Sequence, residues 1–199
     1  MRVGVISHLP NPTFDQIRLL ARAAEAAGAD WLGVPDAFWW RDTWLLLAEA
    51  ARATERIELG PMVTNPYLRH PFHTVAALAS LQEIAGQRVF VGIGAGGSEV
   101  SGAARISRRD ASSQITALVN LIRGVAEGRA LDPESGRTLE VPLHRLPVLV
   151  AGRGDRVLKA AGAAADRALL WAIPQSDLVR SASIVSTKGK PGLSYCARA

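Results

Sequence analysis

Short apolar runs alternate with amphipathic stretches along most of the chain. Arg2 to Ser7, Trp31 to Val34, Ile57 to Val63 and Val89 to Ile93 are brief and largely apolar, the pattern of buried strands. Between them the spacing turns helical. Thr13 and Gln16 form a candidate capping box for a helix from Phe14, which carries Ile17, Leu20, Ala21, Ala24 and Ala27 on one face and stops at Gly28. Asp42 or Thr43 can cap a second helix whose apolar face is Trp44, Leu47, Ala48 and Ala51. Pro71 suits the first position of a third, with Val75, Leu78, Leu81 and Ala85 before Gly86. Four strand–helix units at nearly regular spacing predict a parallel sheet with helical crossovers.

The regularity then breaks. A Gly/Ser/Arg-rich loop runs from Gly94 to Arg109, and Ile115, Leu118, Val119 and Ile122 predict a helix behind it. Leu131 to Arg145 contains a Pro-Glu-Ser-Gly turn between short runs and predicts an inserted hairpin. Pro147 to Ala151 resumes as a fifth strand, Val157, Leu158, Ala161 and Ala165 mark a helix, and Ala168 to Ile173 is a sixth strand. Beyond Pro174 the pattern fades. Residues 1–182 are therefore expected to form one domain and 183–199 an irregular tail. Six units are too few for an eight-stranded β/α barrel, which takes about 250 residues. Periodicity alone leaves two α/β architectures open: an open doubly wound sheet, or an incomplete barrel of the (β/α)8 TIM type with an insertion after strand four.

Composition narrows the function classes. With 199 residues, 48% hydrophobic and 21% charged, the chain has an ordinary globular balance and material for one sizeable core. The formal net charge of +5 is compatible with a solubilising basic surface or with an anionic small ligand. Arginines are dispersed and not interleaved with aromatics, which argues against a nucleic-acid partner. One cysteine, Cys196, excludes an internal disulfide and fits a reducing compartment. No signal-peptide pattern and no apolar run of about 18 residues is present, so the expectation is a cytoplasmic protein without a membrane partner.

In both architectures ligands bind at the C-terminal ends of the strands, and four loops there carry unusual residues. Asp36 follows strand two beside Phe38, Trp39 and Trp40, either to orient a planar ring or to cap a helix. Gly60 to Pro71 is a long polar turn containing Met62, Val63, Thr64 and Asn65. Gly92, Gly94 and Gly97 satisfy the Gly-x-Gly-x-x-Gly pattern, but after the fourth strand and with no amphipathic helix starting at Gly97. They are candidates for a phosphate loop, or for backbone that a flat ligand can approach closely. Gly152, Arg153 and Gly154 precede a helix, where amides and one arginine suit a phosphate. His70 and His73 lie three apart without an evident third ligand, so no metal site is expected; His8 and His144 have no assigned role. Cys196 lies in the least patterned segment and is a poor nucleophile candidate.

Together, the Val63-Thr64-Asn65-Pro66-Tyr67-Leu68-Arg69-His70-Pro71 run, the Val91 to Gly96 run, the N-terminal strand and Pro147 to Asp166 resemble the bacterial luciferase-like monooxygenase superfamily. Within it, the coenzyme F420-dependent branch that includes the methylene-tetrahydromethanopterin reductases is similar. The resemblance extends from Met1 to about Ser181. It implies a β/α barrel binding coenzyme F420 (a deazaflavin) or FMN at its C-terminal mouth, with a non-prolyl cis peptide, Met62–Val63, behind the ring. It also implies Asp36 and Thr64 near the ring's polar edge, Gly92 and Gly94 beside the ring, Gly152 to Gly154 at the phosphate, and Met62, Val63 and Asn65 among the cofactor-binding residues. The implied function is a flavin- or F420-dependent oxidoreductase, monooxygenase or hydride-transferring, acting on a small organic molecule, as a homodimer. Some members carry a catalytic histidine directly after the strand-two aspartate, where this chain has Ala37; no catalytic residue is assigned. Members continue through two more strand–helix units, so a truncated, non-catalytic flavin-binding protein is an alternative. A Rossmann-like nucleotide-binding protein using the glycine run is a second.

Overall fold

A computed structural model of the chain describes residues 2–7, 9, 11–107, 110–171, 173–186 and 192–196, with backbone only for 98, 100, 171 and 192–196. The strands are β1 (Gly4–Ile6), β2 (Trp31–Val34), β3 (Glu58–Pro61), β4 (Val91–Gly94), β5 (Val148–Gly152), β6 (Arg167–Trp171) and β7 (Gly192–Cys196). The helices are α1 (Phe14–Ala26), α2 (Thr43–Arg52), α3 (Pro71–Ala85), α4 (Ser98–Ala103), α5 (Ala111–Ala126), α6 (Asp155–Ala164) and α7 (Leu178–Ser186).

All strand pairings are parallel. β1, β2 and β3 form one sheet, and β4, β5, β6 and β7 a second. Isolated parallel bridges, Leu59 with Val89 and Thr64 with Ile93, join β3 to β4 across the gap. Spatial order therefore follows sequence order from β1 to β7 and never reverses. A doubly wound sheet needs a reversal, because its ligand crevice opens where the order switches. The doubly wound architecture and the Rossmann-like alternative are both corrected by this topology.

The helix ends follow local chemistry. Thr13 and Gln16 complete the capping box at α1. Asp42, rather than Thr43, caps α2 by accepting from the amides of Trp44 and Leu45. At α3 the cap is His70, whose Nδ1 accepts from Phe72 N at 3.2 Å, with Pro71 at the first helical position. The Glu25 carboxylate near the end of α1 accepts from the amides of Glu55, Arg56 and Ile57 and so fixes the entry to β3. Desolvation pushes that carboxyl up, and the three amides outweigh it, holding it below its ordinary value.

Successive strand residues point to opposite faces. Leu32, Val34, Leu59, Val91, Ile93, Val148, Val150, Ala168 and Leu170 pack with the helices in one large core. Met62, Phe90, Leu149, Ala151 and Leu169 form a second cluster on the other face, joined by Ile6, Trp31 and Val63. Glycines occupy several inward positions because that face is already filled. A Cβ on Gly33 would lie 2.4 Å from the Met62 side chain, and one on Gly60 would lie 2.0 Å from the Phe90 carbonyl oxygen.

Three expectations are corrected. The hairpin at 131–145 is a single antiparallel bridge between Asp132 and Arg137, closed by Asp132 bonding to Ser135 and Glu134 within the turn. The glycine-rich loop contains α4, too short at six residues to show a period. The tail is not irregular where it is described: α7 continues to Ser186, and β7 adds a seventh strand by pairing with β6. Gly-Leu-Ser-Tyr-Cys carries no strong apolar signal, so its strand state comes from the β6 edge beside it. Residues 187–191 and 197–199, His8 and the Cys196 side chain lie outside the described residues.

The filled face predicts that Gly60→Ala destabilises the fold by about 3 kcal/mol or more, since backbone blocks the new methyl. Gly102→Ala, in α4 with nothing within 4 Å of its Cβ, is the control and should be neutral or stabilising by about 0.5 kcal/mol. Denaturant melts of the two variants check the contrast.

Candidate functional site

At the C-terminal ends of β2, β3 and β4 the chain brings together groups far apart in sequence. Beyond Met62, whose amide still donates to Val34 O at 2.8 Å, the chain leaves the ladder, and the Met62–Val63 peptide bond is cis, as the family resemblance implies. Thr64 then rejoins β4: its amide donates to Gly92 O and its carbonyl accepts from Gly94 N, each at 2.9 Å. This pairing fixes the bulge from one side.

Asp36 fixes it from the other. The Thr64 hydroxyl donates to Asp36 Oδ2 at 2.7 Å, tying the end of β2 to the residue after the bulge. Thr43 Oγ1 donates to the Pro35 carbonyl at 2.6 Å and anchors the neighbouring turn. Among the described residues no guanidinium bonds to Asp36; Arg69, whose charge acts on it, is engaged with Asp42 at 2.6 Å. Burial pushes the Asp36 carboxyl above the ordinary carboxylate range, against the Thr64 hydroxyl and the Arg69 charge, which pull it down.

The loop between Asp36 and α2 is pinned as well as polar. Arg41 donates to the Asn11 carbonyl and side chain at 2.9 and 3.0 Å. Phe38 and Trp39 meet edge to face at 4.9 Å and are both exposed, so they lie outside the core. Trp44, in the first turn of α2, is buried and carries the Arg69 guanidinium 6.0 Å from its ring.

The expected site residues divide by what holds them. Asp36, Thr64 and the Val63 backbone converge on the strand ends. Met62 is only 2% exposed and its side chain belongs to the inward cluster, so only its backbone reaches the mouth. Asn65, 3% exposed, spends its Oδ1 on the amides of Tyr67 and Leu68, a turn-forming role. Gly92 and Gly94 face Val63 rather than open space. Gly152 makes room for Val157, whereas a Cβ on Gly154 would meet nothing within 4 Å. Gly154 caps α6 without a side-chain bond. Asp155, in the first turn of α6, is paired with Arg180 of α7.

Sequence reasoning missed Thr43 as part of this network, the Asp42–Arg69 pair, and Ser7. The Ser7 hydroxyl lies one residue past β1, is buried, and has no hydrogen-bond partner among the described residues. For Thr43 the available signal was its place beside the cap; for Ser7 there was none. A cleft of about 390 Å³ lies elsewhere, between the last turn of α5 and the starts of β5 and β6, lined by Arg123, Glu127, Arg145 and Asp166. It contains none of the strand-end groups. Among the described residues no cluster of metal-ligating side chains occurs, and His70 serves as a helix cap.

The elevated Asp36 carboxyl has a defined effect on stability. The folded state holds its proton more tightly than the unfolded chain, so its contribution is fully present below the ordinary value of 3.8 and falls as pH rises through the raised value. Asp36→Asn keeps an acceptor for Thr64 and removes the titration. The variant should therefore gain stability relative to the parent as pH goes from about 4 to about 7. Parallel urea-melt profiles across that range would contradict the desolvation of Asp36.

Comparison with known proteins places this geometry. A family model described as luciferase-like monooxygenase matches residues 1–186. The chain is 29% identical over 183 residues to a 5,10-methylenetetrahydromethanopterin reductase of Archaeoglobus fulgidus, a match covering 89% of this chain and 55% of the relative. It is 28% identical over 178 residues to the Methanolobus tindarius reductase of the same name, covering 86% and 55%. The chain thus spans about half the length of these curated relatives. Among solved structures, the coenzyme F420 dependent tetrahydromethanopterin reductase from Methanopyrus kandleri superposes with a TM-score of 0.81 at 20% identity, covering 98% of this chain and 64% of that one. The FMN complex of the oxygenating constituent of 3,6-diketocamphane monooxygenase from Pseudomonas putida gives 0.76 at 18% identity, covering 96% and 64%. At these identities the structural likeness is one of fold, whereas the family match covers most of the sequence: the chain belongs to the luciferase-like monooxygenase family.

Proposed function

We propose that this chain is an oxidoreductase that binds coenzyme F420 or FMN at the C-terminal ends of its strands and acts on a small organic molecule. The observation that carries this is the Asp36–Thr64 hydrogen bond beside the Val63 bulge, which sets a half-buried acid at the strand ends. The residues present fit such a group. The bulge offers a planar wall, Asp36 and Thr64 a polar edge, and Gly154 with the first amides of α6 and Arg153 a place for phosphate. The strand order is that of a β/α barrel, and the seven strands are read as part of one.

When bound, the cofactor supplies a two-electron centre that accepts or donates a hydride. The chain's own residues bind, orient and exclude water. Thr64 holds the Asp36 carboxyl in one rotamer through its 2.7 Å bond. Ala37 stands where some members carry a histidine, which leaves Asp36 as the titratable group at this edge among the described side chains. Desolvation shifts this carboxyl toward its neutral form, which suits proton exchange with a heteroatom on ring or substrate.

Equilibrium titration with F420, FMN and NAD, followed by fluorescence, tests this directly. One of the first two should bind at one equivalent, and Arg153→Ala should weaken it about tenfold through loss of a charged phosphate contact. Binding of NAD alone, or of none of the three, contradicts the proposal.

A further inference from the structure

We propose that the cleft at the far end of the strands from the mouth is a second ligand site, fitted to a small monocarboxylate with a short apolar body. It lies where β5 and β6 begin, beside the last turn of α5, and encloses about 390 Å³. That volume is at the lower end of the range for sites that take a small organic molecule. β5 separates it from the Gly152 turn by about 13 Å of strand. The proposal therefore does not depend on the cofactor reading above.

The charges of the cleft do not cancel. Asp166 is committed to joining β5 and β6: its Oδ2 accepts from Val148 N at 2.9 Å, and its own amide donates to Val148 O at 2.9 Å. Its Oδ1 accepts from Arg123 Nη2 at 3.1 Å. Glu127 is paired with Arg129 Nη2 at 3.1 Å. Arg145 is the least engaged. Its Nη2 stands 3.6 Å from Asp166 Oδ1, beyond hydrogen-bond reach and on an oxygen that already holds a guanidinium. Two acids thus face three arginines, and one positive charge is left for a ligand. Bare carbonyls at the end of α5 would repel an anion. They are closed by the amides of Glu127, Gly128 and Arg129, which donate to Arg123 O, Val125 O and Gly124 O.

Arg145 is also held in place from below. Leu143 and Leu146 beside it are both 5% exposed, and the buried Gln82 amide of α3 grips the His144 backbone between them. His144 N donates to Gln82 Oε1 at 2.9 Å, and Gln82 Nε2 donates to His144 O at 3.1 Å. The backbone is thereby fixed on both sides while the Arg145 side chain is 87% exposed. A site whose backbone is ordered in advance loses less entropy on binding. Shape then selects the ligand. A guanidinium fork matches a planar carboxylate with two parallel hydrogen bonds. Ile122 and Leu146 line the cleft but are nearly buried, so they offer a narrow apolar ledge that suits a short body rather than a long chain. A phosphate dianion would exceed the single charge on offer.

The test titrates the full chain, isotope-labelled for amide NMR and without cofactor, with benzoate, its cationic isostere benzamidine, and inorganic phosphate. Benzoate should saturate at one equivalent, with amide shifts centred on residues 122–127, 143–148 and 166. Arg145→Ala should weaken it about tenfold or more through loss of the charged fork. Arg145→Lys, which keeps the charge and loses the fork, should fall between. Both variants leave the Gln82–His144 and Asp166–Val148 bonds in place, and an unchanged spectrum away from the cleft confirms the fold. If Arg145→Ala alone disturbs that spectrum, Arg145→Lys decides by the same criterion. The proposal is overturned by benzoate affinity that survives both substitutions, by shifts centred on residues 152–156 instead, or by no saturable benzoate shift in the parent. Tighter binding of benzamidine or phosphate in the cleft overturns the ligand class and with it the proposal. None of these results bears on the cofactor titration, so the two readings fail separately.

Discussion

The seam between β3 and β4 is the constraint on which the mouth of this protein depends. Elsewhere the parallel ladder runs uninterrupted, strand to strand. Here it stops after Leu59 and Phe90 and resumes only at Thr64, and the residues between are pushed onto the inward face. That face is already filled by Trp31, Met62, Phe90, Leu149 and Leu169. Every strand near the seam must then give up side chains, which explains glycine at 33, 60, 92 and 94 on three different strands. The absence of side chains at those positions is a packing requirement before it is a feature of ligand binding.

From the same constraint follows the electrostatics of the site. Because Thr64 re-enters the ladder at a fixed height, its hydroxyl is delivered to the end of β2, where Asp36 accepts it. The cation that could have neutralised Asp36 is drawn off by Asp42, itself occupied in capping α2. Helix capping, ion pairing and the raised pKa of a half-buried acid are thus linked within a few residues. A partly desolvated carboxyl is costly when charged, and groups shifted in this way cluster at functional sites.

Much of this was legible in the sequence. Helix starts at Thr13, Asp42 and Pro71 followed from capping chemistry, and the first four strands from their apolar runs, because both signals are local. The run from Val63 to Pro71 carried the family resemblance and with it the cis bond. What could not be read was set by contacts distant in sequence. β7 owes its state to the β6 edge, the supposed hairpin lacks a partner long enough to pair, and the Gly92–Gly94 pair looks like a ligand loop until Val63 is seen against it. Ser7 gave no sign because a buried hydroxyl looks in sequence like any other.

The most direct measurement is a crystal structure with F420 or FMN bound. The account predicts the ring stacked on the bulge, within about 4 Å of Val63, with its polar edge toward Asp36 and Thr64. A cofactor seated instead in the cleft between Arg123 and Arg145, or a ring separated from Val63 by ordered side chains, would contradict it.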